Sequence, residues 1–82
     1  MTPEKLRHTI SRNVKQRRKE LGMTQAALAA ACEVTAAAIC RLESGVSGAS
    51  DEMLAYLSEA LHCHPAALMM EGVTAKNLKI GA

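Results

Sequence analysis

The chain is 82 residues long, the scale of one small domain, which buries only about 60% of the surface its unfolded chain exposes. It is 49% hydrophobic, with one Tyr and neither Phe nor Trp, and its strand formers never cluster, so the composition points to an all-α fold. A net charge of +2 is only mildly basic, an odd count of three Cys argues against a disulfide framework, and no apolar run approaches the roughly 18 residues of a membrane span.

The predicted elements begin at Thr2-Pro3-Glu4: a hydroxyl cap, Pro at the first helical position and an acid in the first turn. The first helix is expected over residues 3–21, closed by Gly22. Leu6, Ile10, Val14 and Leu21 share one apolar arc, with Arg12, Lys15 and Lys19 opposite. Seven basic residues lie between Lys5 and Lys19, and much of that run reads as a solvated face. The opening MTPEKLRH lacks the apolar core of a signal peptide, so the expected location is a reducing cytoplasm.

Thr24 caps a second helix, 25–32, whose inner stripe reads as Ala27, Leu28 and Ala31. Glu33-Val34 makes a short turn, and Thr35 caps a third helix, 36–44, closed by Gly45. A loop over 46–49 leads to Ser50, which caps a fourth helix, 51–62, with Met53, Leu54, Leu57, Ala60 and Leu61 inside. His64-Pro65 opens a short fifth helix, 66–71, burying Leu68 and Met69 and closed by Gly72. The domain is therefore read as 1–72. The tail 73–82 has no cap: it is either flexible, or Leu78 and Ile80 dock on a partner.

The informative stretch is MTQAALAAACEVTAAAICRLESG, residues 23–45. Two short helices, each with a Thr cap, are joined by about three residues, with apolar positions at Leu28, Ala31, Val34, Ile39 and Leu42. A helix-turn-helix needs this arrangement, because its helices must pack closely while the second stays prominent enough to enter a major groove. On a helical wheel starting at Ala36, residues Ala37, Cys40, Arg41 and Ser44 fall between about 40° and 140°, and Ala38, Leu42 and Ile39 between about 200° and 300°. One face is core and the other is presented outward.

The runs Thr-Gln-x-x-Leu-Ala and Val-Thr-x-x-x-Ile-x-x-Leu-Glu-x-Gly, with Val14, Arg18, Leu21, Gly22, Leu54, Leu57, Leu61 and Leu68 around them, resemble the lambda repressor/Cro-like helix-turn-helix domains, the XRE family. The resemblance runs from about Val14 to Met70. It implies a compact five-helix domain in which helices two and three form the helix-turn-helix. It also implies a cytoplasmic, sequence-specific DNA-binding regulator, a repressor that occludes a promoter as a homodimer on a short palindromic operator. By position, Gln25 is similar to the family's Gln that meets a phosphate. Thr35 either caps its helix alone or also touches the DNA backbone. Ala36, Ala37, Cys40, Arg41 and Ser44 complete the expected contact set, and Arg18 and Glu43 match a structural salt bridge between helices one and three.

Departures from the pattern keep other readings open. Ala36 and Ala37 offer only apolar contact, for instance to a thymine methyl. Arg41 is the one strong base reader, equally suited to phosphate. The loop 46–51 has no Lys or Arg, and Glu33 stands where the family often has Gly, which either strains the turn or leaves it ordinary. The alternatives are a protein-interaction module that kept the fold, and an antitoxin-like regulator whose tail binds a partner protein. His62-Cys63-His64 reads as helix-end and core residues, since three adjacent ligands at a turn do not converge on one tetrahedral ion. Cys32 reads as core and Cys40 as an exposed thiol. No enzyme, cofactor or metal motif is legible.

Overall fold

Each helix starts where a side chain can satisfy an otherwise unpaired backbone N–H. The computed structural model describes residues 2–71 as five helices and no strands: α1 (Pro3–Glu20), α2 (Gln25–Ala31), α3 (Ala36–Glu43), α4 (Asp51–Ala60) and α5 (Pro65–Met69). The Oγ atoms of Thr2, Thr24, Thr35 and Ser50 accept from the N–H groups of Lys5, Ala27, Ala38 and Met53 at 3.0–3.1 Å. His64 caps α5 through Nδ1, accepting from the Ala66 N–H at 3.1 Å. Helix α5 spans Pro65–Met69 rather than 66–71, and Gly72 and the tail 73–82, with its partner-docking reading, lie outside the described residues.

Helices α1 to α4 each end in a Schellman motif one or two residues earlier than the sequence pattern suggests. Its signature bonds run from Met23, Val34, Val46 and Cys63 back to the carbonyls of Arg18, Ala29, Arg41 and Ser58. The motif needs left-handed backbone at the residue just past the cap. Gly22 (φ 69°) and Gly45 (φ 81°) supply it for α1 and α3. Glu33 (φ 57°) and His62 (φ 53°) supply it for α2 and α4, so the Glu33 turn is not an ordinary one.

Ile10, Val14, Leu28, Ala29, Cys32, Ile39, Leu42, Leu57, Leu61, Cys63, Ala67 and Leu68 form the core. Three expectations are corrected. Ala27 and Ala31 are exposed; Leu28 and the C-cap Cys32 are buried as expected, and Ala29 takes the inner position in α2. Leu21 caps α1 at 36% exposure, outside the arc assigned to it. Met53, Leu54, Ala60 and Met69 are only half-buried, packed against the edge of the core.

Two α1 side chains one turn apart tie down the ends of the last two helices. Arg17 Nε donates to the Leu61 carbonyl at 2.8 Å and Nη2 to the His62 carbonyl at 3.3 Å, capping α4. Asn13 Nδ2 shares its two hydrogens among the carbonyls of Ala67, Leu68 and Met70 at 3.0–3.2 Å, capping α5. Among the described residues no buried side-chain nitrogen or oxygen lacks a partner. No single helix there is long and apolar enough to cross a membrane.

Candidate nucleic-acid interface

The chain turns by 111° between α2 and α3, within the range of a helix-turn-helix. Ile39 and Leu42 seat α3 on the core, and Ala38 is half-buried beside them. Thr35, Ala36, Ala37, Cys40, Arg41 and Ser44 are all exposed, so the structure brings these residues together along the outer side of one helix. The face is convex. Two open grooves of about 450 Å³ and 440 Å³ flank Tyr56 on the α2–α4 side, and neither contains an α3 residue.

The chemistry along this face is uneven. Thr35 Oγ1 accepts from the Ala38 N–H, which leaves its hydroxyl hydrogen for an outside acceptor. Ala36, Ala37 and Cys40 present small, mostly apolar surface. Arg41 offers the only long cationic side chain on α3. Ser44 is the C-cap residue, and its Oγ donates to the Arg41 carbonyl at 3.0 Å, so its hydrogen is already engaged.

Arg18, Gln25 and Glu43 meet behind this face. Arg18 grips Glu43 through two bonds, Nε to Oε2 at 2.6 Å and Nη2 to Oε1 at 2.9 Å, and its Nη1 donates to the Met23 carbonyl at 2.8 Å. Both residues are buried, at 8% exposure. Gln25, the first residue of α2, donates from Nε2 to Glu43 Oε1 at 3.1 Å. One carboxylate thus joins α1, α2 and α3. Burial pushes the Glu43 carboxyl up, but bonds from Arg18 and Gln25, with the charges of Arg18 and Lys15, outweigh it and hold it below its ordinary value. The bond to Glu43 also pushes Arg18 up.

Some of these roles have no signature in the sequence. Lys15 is exposed, as its solvated face predicts, and its charge also lowers the Glu43 value. The Gln25–Glu43 bond has no signature in the spacing, because it depends on how α2 crosses α3. Arg17 belongs to the basic run in sequence, but in the fold it caps α4. His62, Cys63 and His64 have separate duties: His62 carries the left-handed turn, Cys63 is fully buried and His64 caps α5. Burial pushes the thiols of Cys32 and Cys63 up, the latter opposed by Arg17.

A helix-turn-helix family profile matches residues 14–68. A crystal structure of the P22 c2 repressor in complex with a synthetic operator is similar at 35% identity, covering 73% of this chain and 91% of that one, with a TM-score of 0.70. The solution structure of the DNA-binding domain of the same repressor gives 32% identity over 79% and 86%, with a TM-score of 0.75. The clp gene regulator ClgR from Corynebacterium glutamicum gives 30% identity over 77% and 82%, with a TM-score of 0.73. No curated protein sequence matches the chain. Motif, five-helix architecture and these likenesses agree, and the chain belongs to the lambda repressor-like helix-turn-helix family, the XRE type of DNA-binding transcriptional regulator.

Proposed function

We propose that this chain is a repressor that binds double-stranded DNA sequence-specifically in the cytoplasm, as a homodimer on a short palindromic operator, and occludes the promoter. The observation that carries the reading is the outer face of α3, seated by Ile39 and Leu42 and lined by Thr35, Ala36, Ala37, Cys40, Arg41 and Ser44. Arg41 contacts a guanine edge or a phosphate, and Ala36 and Ala37 lie against thymine methyls. The Thr35 hydroxyl, the second amide hydrogen of Gln25 and the Lys15 ammonium grip the backbone. A single such module makes few contacts, so two copies are needed, their recognition helices about 34 Å apart along the duplex. The complex of the P22 c2 repressor with its synthetic operator supports the reading by likeness.

The polar poverty of Ala36, Ala37 and Cys40 favours a second reading, a protein-interaction module on the same scaffold. Binding of the pure protein to DNA upstream of its own gene, against mixed-sequence DNA and across a salt series, separates the two. Selective binding with a slope of about −0.9 per phosphate neutralised and a two-fold symmetric footprint is the expected result. No binding even at low salt rejects the proposal.

A further inference from the structure

We infer that Glu43 is a positioning residue for DNA: its buried carboxylate holds the Gln25 amide in the orientation that presents one N–H to a backbone phosphate. This assignment rests on the DNA-binding reading above. The two Arg18 bonds already form a bidentate ion pair, so the pair does not require Gln25. The Gln25 bond at 3.1 Å nevertheless goes to the same Oε1 that Arg18 Nη2 uses. Its effect falls on Gln25. A flipped amide would set Oε1 against a carboxylate oxygen, two acceptors facing each other, so Nε2 must point inward. One hydrogen of Nε2 is then spent on Glu43 and the other is fixed in direction. A phosphate oxygen only accepts, so that second hydrogen is what Gln25 has to offer it. Arg18 balances the carboxylate, which spares an approaching phosphate an uncompensated like charge. Glu43 acts through Gln25 and need not touch the nucleic acid.

Because a phosphate contact is independent of sequence, the probe is a mixed-sequence duplex spanning two successive major grooves, titrated at low salt with the full chain. Four proteins are compared: wild type, Gln25→Ala, the apolar replacement Arg18→Met with Glu43→Leu, and all three changes together. Freezing one flexible side chain in advance is worth about two- to tenfold in affinity. The loss caused by Gln25→Ala is therefore expected to shrink by about that factor in the apolar background. Equal losses in both backgrounds, with wild-type binding intact, overturn the assignment alone. Absence of duplex binding by the wild type overturns the DNA-binding reading as well. Gln25→Asn, which keeps Arg18 and Glu43, guards against a pair variant that fails to fold. Its shorter side chain is expected to bind like Gln25→Ala, and wild-type affinity for it overturns the assignment. In the free wild-type protein the Gln25 side-chain NH2 is expected to be rigid by ¹⁵N relaxation, and a freely rotating group overturns it too.

Discussion

Glu33 and His62 stand at equivalent steps of the same motif: each is the left-handed residue that ends a helix, with φ of 57° and 53°. Gly22 and Gly45 do this work elsewhere in the chain without the Cβ conflict that a side chain brings. Glu33→Gly and His62→Gly are each expected to stabilise the domain by about 1 kcal/mol, the left-handed penalty less glycine's extra entropy cost. In a chain this size that raises the melting temperature by about 4–8 °C. Alanine at either position keeps the conflict and gives no comparable gain. Thermal unfolding of the four variants decides the point.

Gly45 is bound by more than its backbone angle. A Cβ there would meet His8 Nδ1 at 3.0 Å and Cε1 at 3.1 Å, whereas one at Gly22 meets nothing within 4 Å. Gly22→Ala is expected to cost about 1 kcal/mol, the left-handed strain alone. Gly45→Ala costs more, about 2 kcal/mol, and adding His8→Ala recovers part of the difference. Equal losses at the two glycines in urea titrations would show that His8 moves aside freely.

Breaking the buried ion pair from one side leaves a charge without a partner. Arg18→Met alone, or Glu43→Leu alone, is expected to cost about 3–5 kcal/mol, and the two together far less than the sum. The pair also shapes the acid limb of stability. Glu43 is held below its ordinary value, so the folded state favours the ionised carboxylate. That contribution is full above the unfolded value, near pH 4.3, and disappears as pH falls through the lower folded value. Urea titrations from neutral pH downward should show a shallower acid decline in the double variant than in wild type.

Arg41→Ala is expected to weaken operator binding by about 1–3 kcal/mol. The manner of the loss assigns the contact. A relaxed preference at one base pair marks a guanine reader. A uniform loss with the salt slope smaller by about 1 marks a phosphate contact. Affinity within twofold of wild type would rule out α3's outer face as the reading surface.

Cys40 is exposed and Cys32 and Cys63 are buried. A thiol reagent should therefore modify one cysteine in the native protein and all three after unfolding. Because Cys40 lies beside Arg41 on α3, bulky alkylation there should abolish selective DNA binding, and Cys40→Ser should be immune. Fast modification of a second thiol in the native state would mean that the core opens readily.

How much of this could be read in advance follows from which interactions are local. The caps at Thr2, Thr24, Thr35 and Ser50 depend on residues three positions apart, so sequence places them. The five helices and the α2–α3 pair follow from those caps and from the Thr-Gln and Val-Thr runs. The facing of α2 is not legible because QAALAAA offers almost no hydropathy contrast, and the neighbouring helices decide which alanine is covered. Arg17, Asn13 and Gln25 find partners 44, 54 and 18 residues away, at distances set by the tertiary fold. Glu33 departs from the family pattern, but the sequence alone does not say whether the turn is left-handed, and His62 gives no signal, since most left-handed helix ends carry Gly.

Arg17 and Arg18 are neighbours in the chain, yet they hold different parts of the molecule. Arg17, with Asn13 one turn earlier, carries the α4–α5 half, and Arg18 carries the α2–α3 half. Successive α-helical residues are offset by about 100°, so α1 behaves as a screw whose thread fixes the angle between the halves. One residue inserted between positions 13 and 18 would turn part of that thread and leave at least one grip facing away from its target. An insertion in the 46–49 loop changes no such phase. The outward face of α3 is thus aimed partly by residue count in α1, a different helix.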